Sequence, residues 1–239
     1  MKSLWRIALL LFCLTSPLAA APHLRDVAQV RGLLSAAGLW TRVVEVVQKT
    51  AGEVYPKVFH AVVFEFNSAL WFYTPHDGTQ SLSQYQGQTE KDKRELGTLV
   101  HEVVPELGAI HEAPVTEAAA RNPRHPENGC FVESIAALAA EQKRTPELTD
   151  PQLFSYYGRT AQGVQGHTVL CYRQGAQGYV IDRTISETPR QVPLSLLHDG
   201  RRLARWLEPE LQIVRTRFLA IRPPSRTVVV GAPARQGSL

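Results

Sequence analysis

Two apolar runs with only two residues between them constrain this chain most. Val58-Phe59-His60-Ala61-Val62-Val63-Phe64-Glu65-Phe66 is rich in β-branched and aromatic residues, and Ala69-Leu70-Trp71-Phe72-Tyr73 follows directly after Asn67-Ser68. Asn and Ser are turn formers, so the spacing predicts a β-hairpin over 58–74. Strand alternation assigns Trp71, Phe72 and Tyr73 to the core, although a partly exposed aromatic here would line a groove. Pro75-His76-Asp77-Gly78 carries turn chemistry and closes the hairpin. The polar residues 79–88 read as a loop.

The segment before the hairpin supplies a cover for the sheet. From Leu24 to Ala51, Val27, Val30, Leu33 and Leu34 recur at helical spacing, as do Leu39, Val43, Val46 and Val47. This predicts one or two helices broken at Gly38. After the hairpin, Thr89–Leu107 reads as a charged helix limited by Pro105, 108–115 as a short strand and 122–128 as a rigid loop. A helix over Gly129–Lys143 comes next, then a loop containing Pro146 and Pro151. Gly166–Arg173 and Tyr179–Arg183 read as paired strands around Gly175–Gly178. Leu194–Leu207 reads as a helix and Gln212–Ile221 as a strand. Val228–Val230 could add an edge strand.

The first residues belong to targeting. Lys2 and Arg6 precede the apolar run Ile7–Leu14, and Ser16-Pro17-Leu18-Ala19-Ala20-Ala21 is a breaker followed by small residues. This is the layout of a secretory signal peptide over 1–21, with cleavage after Ala20 preferred. The expected location is therefore outside the cytosol, periplasmic or secreted. Beyond the leader no apolar run approaches 18 residues, so no membrane span is expected in the mature chain. The remaining chain divides into an N-terminal helical and hairpin part over 22–115, a core over 116–222 and a tail over 223–239.

Charge narrows the partners. The formal net charge is +4 over 239 residues, less two once Lys2 and Arg6 leave with the leader. Basic residues thicken only in the last third, without the dense stripe and interleaved aromatics of a nucleic-acid binder, so nucleic acid is not an expected partner. There is no P-loop, no dinucleotide glycine fingerprint and no zinc-helix pattern, since His101-Glu102 lacks its second histidine. Asp77-Gly78-Thr79 lacks the acidic spacing of a calcium loop. No cofactor and no metal is expected.

Two cysteines remain after the leader, Cys130 and Cys171. In an oxidising compartment the default for such a pair is a disulfide. Cys130, however, falls in the first turn of the helix that Asn128 would N-cap. Free N–H groups and a partial positive charge at that end favour thiolate and suit a developing oxyanion. His167 opens one strand of the pair and Asp182 ends the other, so antiparallel pairing makes them neighbours. A thiol nucleophile needs a base, and the base needs an orienting acceptor. Cys130, His167 and Asp182 supply these roles. Taken singly, each has a plainer reading: a small buried residue or half a disulfide, a satisfied sheet histidine, and a turn or surface acid.

The order of these features, a cysteine at a helix start, then Gly-His-x-Val on a strand, then Tyr-Val-Ile-Asp on the next, resembles the transglutaminase-like superfamily. The bacterial transglutaminase-like cysteine proteinases are its nearest secreted branch. The resemblance covers roughly residues 122–185. It implies an α+β fold with a papain-like core, in which an antiparallel sheet packs on the cysteine-bearing helix. It also implies acyl transfer through a thioester on a protein or peptide substrate, as hydrolysis of an amide or transfer to an amine. That chemistry requires no metal, although some relatives bind calcium. Many relatives carry glycine two residues before the cysteine and an acid two residues after it. Here Asn128 and Val132 stand there, with Gly129 and Glu133 adjacent. Asn128 is the candidate oxyanion side chain.

Two rivals share this sequence: a non-catalytic peptide-binding protein on the same fold, and a structural domain stapled by a Cys130–Cys171 disulfide. His167 and Cys171 are four residues apart on one strand, which spans ~13 Å, whereas a disulfide needs α-carbons within ~7 Å. A cysteine that meets His167 is thus expected not to bond Cys171, which becomes a buried thiol in the sheet core.

Overall fold

The structure is a computed structural model that describes residues 22–48, 57–81, 107–112, 125–161 and 163–221. It is an α+β fold with two five-stranded antiparallel sheets. Helix α1 spans Pro22–Ala36. The strands β1 (Thr41–Gln48), β2 (Lys57–Phe66), β3 (Ala69–Thr74), β4 (Gly78–Ser81) and β5 (Leu107–Glu112) form the first sheet, in the order β4-β3-β2-β1-β5. Helix α2 spans Cys130–Arg144. The strands β6 (Thr149–Thr160), β7 (Gly163–Gln174), β8 (Gln177–Ile181), β9 (Arg190–Val192) and β10 (Gln212–Ala220) form the second sheet, in the order β10-β6-β7-β8-β9. A 3-10 turn over Leu194–His198 and helix α3 over Gly200–Leu207 precede β10.

The hairpin over 58–74 is present as β2 and β3, and both turn residues, Asn67 and Ser68, take φ of 59°. Two positive φ values give the turn the twist that two-residue hairpins require. The polar stretch after it is not all loop, because Gly78–Ser81 pairs with β3 as β4.

Three sequence expectations are overturned. The second helix proposed within 39–51 is strand β1 over its described part. Adjacent Val43 and Val44 point to opposite faces of the sheet and both are buried, as is Val46, so β1 is covered on both faces. A strand covered on both faces loses its alternation, and its valines then mimic a helical period. The proline-containing loop after α2 becomes β6, a central strand. Pro151 is accommodated because the ladder shifts register between Thr149 and Gln152 and Asp150 takes φ 50°, a bulge being where a sheet tolerates proline. The helix over 194–207 breaks at Asp199, whose side chain accepts from the Arg202 amide at 3.1 Å and so starts α3. The leader expected over 1–21, most of the helix expected over 89–107, and the strand expected at Val228–Val230 lie outside the described residues.

One hydrophobic cluster joins both sheets across the helices. Val27, Val30 and Leu34 of α1 meet Val43, Val62, Phe64 and Tyr73 of the first sheet. Val132, Ile135 and Leu138 of α2 bridge these to Leu153, Leu170 and Tyr172 of the second. Each such side chain contributes about 1.5–3 kcal/mol by burial. Alternate residues of β6, β7 and β8 point the other way. Phe154, Tyr156, Val169, Cys171 and Val180 pack there against Leu196, Leu197 and Leu203. The second sheet is thus covered on both faces, by α2 on one and by the 3-10 turn and α3 on the other. Among the described residues no helix is long and apolar enough to cross a membrane.

Candidate active site

The start of α2 is fixed by a tight loop. The Gly129 amide donates to the Pro126 carbonyl at 3.0 Å, and a Cβ at Gly129 would fall 2.3 Å from Pro126 Cγ and 2.9 Å from its carbonyl oxygen. Glycine beside the cysteine is therefore a steric requirement of this loop. Tyr73 ties the loop down from below, its hydroxyl donating to the Glu127 carbonyl at 2.6 Å. Glu133 in the first turn of α2 pairs with His125 Nδ1, while its other oxygen is buried without a hydrogen-bond partner.

Asn128 does not cap the helix. The N-cap is Gly129, with no side-chain cap, and Asn128 sits at φ 52°. Its amide nitrogen donates to the Pro75 carbonyl at 2.8 Å and the His76 carbonyl at 3.1 Å. Both N–H groups of the amide are thereby committed to pinning the β3–β4 turn against the helix start, and none is left for an oxyanion. The first bond of the α2 ladder is the Glu133 amide to the Gly129 carbonyl at 2.9 Å. The amides of Cys130, Phe131 and Val132 precede that ladder and are the donors available there.

His167 owes its position to the unequal lengths of its neighbours. The last β7–β8 pair is Leu170 with Ile181, whereas β6 continues to pair β7 as far as Gly163. From Val169 back to Gly163, β7 therefore has a strand on one side only. His167 lies in this stretch and lines two cavities: the cleft that contains Cys130, and a second pocket lined also by Asp182 and Tyr156. Tyr156 holds the ring edge-on, with centroids 5.7 Å apart.

Asp182 follows β8 and is buried, with 4% of its side chain exposed. Its Oδ2 lies 2.9 Å from His167 Nε2. Its Oδ1 accepts from the Thr184 amide at 3.1 Å and the Thr184 hydroxyl at 2.6 Å. Burial pushes the carboxyl pKa up, but the hydrogen bonds from His167 and Thr184 and the attraction of the imidazolium outweigh it, so the pKa is lowered. Burial likewise pushes the His167 pKa down. Hydrogen bonding to Asp182 and to Cys130, together with their charges, outweighs it and raises the pKa to about 10. With Nε2 on Asp182, Nδ1 is the nitrogen left for the thiol.

The three sequence-selected residues Cys130, His167 and Asp182 thus meet at one place. Cys130 opens onto a cleft of about 280 Å³ between the two sheets, walled in part by Trp71, Phe131, Ser155, Tyr157 and Arg217. Trp71, Phe72 and Tyr73 are all buried, as expected, and Trp71 also lines this groove. Cys130 and Cys171 are both free thiols. Cys171 packs on the α3 face of the sheet, in a different cluster from the residues that meet α2, and burial raises its pKa. The expected unbonded, buried thiol is what the fold contains.

Two site residues escaped the sequence reading. Thr184, two residues after Asp182, fixes the carboxylate; an Asx-type pattern after a strand was the available signal. Ser134 lies one turn beyond Cys130, and its hydroxyl is 2.8 Å from the Cys130 carbonyl and 3.0 Å from that of Thr168. It joins the cysteine helix to the histidine strand and carries no signal beyond its i+4 spacing. Among the described residues no group of His, Cys, Asp and Glu side chains could hold a metal ion. Compared with family models, with curated proteins and with solved structures, the chain finds no match.

Proposed function

We propose that the chain is an exported thiol hydrolase or acyltransferase of the transglutaminase-like kind, acting on peptide or isopeptide amides. One observation carries the reading: His167 is held at 2.9 Å by buried Asp182 and also lines the cleft that Cys130 opens onto. A cysteine-bearing helix packed on the antiparallel sheet that carries the histidine supports a papain-like core. The leader reading of residues 1–21 puts the substrate outside the cytosol.

His167, kept protonated by its raised pKa, already holds the thiol's proton on Nδ1, and the sulfur attacks the amide carbonyl carbon as thiolate. A C–S bond forms and the carbonyl electron pair moves to oxygen, where amides at the start of α2 donate to it. Collapse of this intermediate restores C=O and breaks the C–N bond. The amine leaves with the proton from His167. Water or a second amine, deprotonated by His167, then attacks the thioester. The new C–O or C–N bond forms, C–S breaks, and the proton stays on His167. Asp182 holds the ring so that Nδ1 faces the sulfur and stabilises the imidazolium formed at each transfer.

Thiol labelling tests the base. At about pH 6, well below the ~8.5 at which a free thiol half-ionises, iodoacetamide is expected to alkylate Cys130 and spare Cys171. His167→Ala is expected to abolish that labelling. Equal labelling in the variant would remove His167 from the role.

A further inference from the structure

The Cys130 cleft is bounded by the outer strands of both sheets. β4 ends the first sheet and β10 ends the second. Gly78 and Thr79 wall one side of the cleft, and Arg217 and Leu219 the other.

The two charged walls are not equivalent. Asp77, in the β3–β4 turn, already has company: its carboxylate accepts from the Thr74 hydroxyl at 3.3 Å, and His76 lies 4.0 Å away. Arg217 has no ion-pair or hydrogen-bond partner among the described residues. Register places Arg217 opposite Ser155, and Ser155 opposite Thr168. The Ser155 and Thr168 hydroxyls bond at 2.9 Å. This row runs from the outer strand to the strand of His167 in roughly 10 Å, two strand spacings. It ends where Ser134 joins Thr168 to the first turn of α2. An unpaired guanidinium, two hydroxyls and the nucleophile therefore share one small cleft.

We propose that Arg217 selects the substrate by binding a carboxylate of the peptide that lies across Cys130. The proposal rests on the thiol acyl-transfer reading. A guanidinium presents a planar fork that matches one carboxylate bidentately. Asp77 on the facing wall repels an anion, so the acidic part of the substrate lies on the β10 side. The carboxylate comes either from a free peptide C-terminus or from an acidic side chain.

Two alkylating agents of nearly the same size separate this from the reactivity of the thiol itself. Iodoacetate carries a carboxylate and iodoacetamide does not. The ratio of their rates at Cys130 is expected to fall about fivefold in Arg217→Gln and to stay near wild type in Arg217→Lys, an effect that shrinks in high salt. Arg215→Gln removes the same charge two residues away, outside the cleft lining, and is expected to leave the ratio alone. Equal ratios in the two glutamine variants would overturn the proposal. Absence of iodoacetamide reactivity at Cys130 in the unaltered protein would instead strike the acyl-transfer reading, and this proposal with it. Protection of Cys130 from iodoacetamide then identifies the source of the carboxylate. Three acetylated tetra-alanine peptides serve: one with a free C-terminus, one amidated with a single internal glutamate, and one amidated and neutral. Protection by either acid and not by the neutral peptide, lost in Arg217→Gln, supports the assignment and names the source. Equal protection by all three, or protection by none, overturns it.

Discussion

The two ends of β7 differ in what flanks them. At Cys171 the strand has β6 on one side and β8 on the other, and the thiol is fully buried among Val169, Val180 and the α3 side chains. At His167, four residues away, β8 has already ended, and the ring is 21% exposed between a cleft and a buried carboxylate. Both side chains occupy alternate positions of one strand, so parity alone would send them to the same apolar layer. The early end of β8 separates them. It leaves an open edge where a polar ring can reach Cys130 on one side and Asp182 on the other, while the fully paired end makes a thiol inert.

The sharpest way to break this comparison is to leave the His167 end intact in shape and change one atom of its support. Asp182→Asn preserves volume and the contact to Nε2, yet an amide cannot stabilise an imidazolium. It is expected to fold normally and to lower the rate of amide hydrolysis or transfer by ~10⁴-fold, as in the analogous serine-protease change. Single-turnover kinetics on a cleaved peptide, with circular dichroism for the fold, checks it. A full rate in this variant would reduce Asp182 to a structural acid.

That the three residues of the candidate site could be picked from sequence and the frame only partly has a physical cause. Cys130 and Asp182 sit at element boundaries, a helix start after glycine and the residue after a strand, and His167 lies within β7, four residues past its start at Gly163, where β8 no longer flanks it. The hairpin over 58–74 was legible because a two-residue turn separates two β-branched and aromatic runs, although β2 and β3 are themselves buried on both faces. β1 was not, since a strand buried on both faces has no alternation, and β6 was not, since Pro151 reads as a breaker until the bulge at Asp150 is known. Asn128 misled for a related reason. A cap residue before a helix is common, but this amide serves carbonyls of a turn more than fifty residues earlier, a long-range fact that local spacing does not carry.

The pH dependence of stability sharpens the contrast. His167 holds its proton up to about pH 10 in the folded protein, against about 6.5 when unfolded. Its contribution is therefore complete below about pH 6.5 and is lost as pH rises towards 10. Asp182, whose pKa is lowered, contributes above its unfolded value of about 3.9 and loses that contribution as pH falls below it. Denaturant unfolding from pH 6 to 9.5 is expected to show the alkaline loss, and Asp182→Asn to flatten it. An unchanged alkaline slope in that variant would show that the proton is held by something other than the pair.

The smallest expected effect lies at the other end of β7. Cys171 sits in a layer made of Phe154, Tyr156, Val169, Val180, Leu196, Leu197 and Leu203, apolar apart from the Tyr156 hydroxyl. Cys171→Ser exchanges a weakly polar sulfur for a group that must be hydrogen-bonded, at a cost of about 1–3 kcal/mol. Cys171→Ala removes the atom altogether and leaves a small void, a smaller loss of about 1 kcal/mol. Neither change touches the open edge, so the iodoacetamide rate at Cys130 is expected to match the unaltered protein in both. Denaturation midpoints rank the three proteins. If serine proved as stable as cysteine, the layer would contain a polar partner and the contrast between the two ends would be weaker than their burial implies. If either variant slowed alkylation of Cys130, the packing at the closed end would be coupled to the geometry at the open one, and the early end of β8 would no longer suffice to explain where His167 sits.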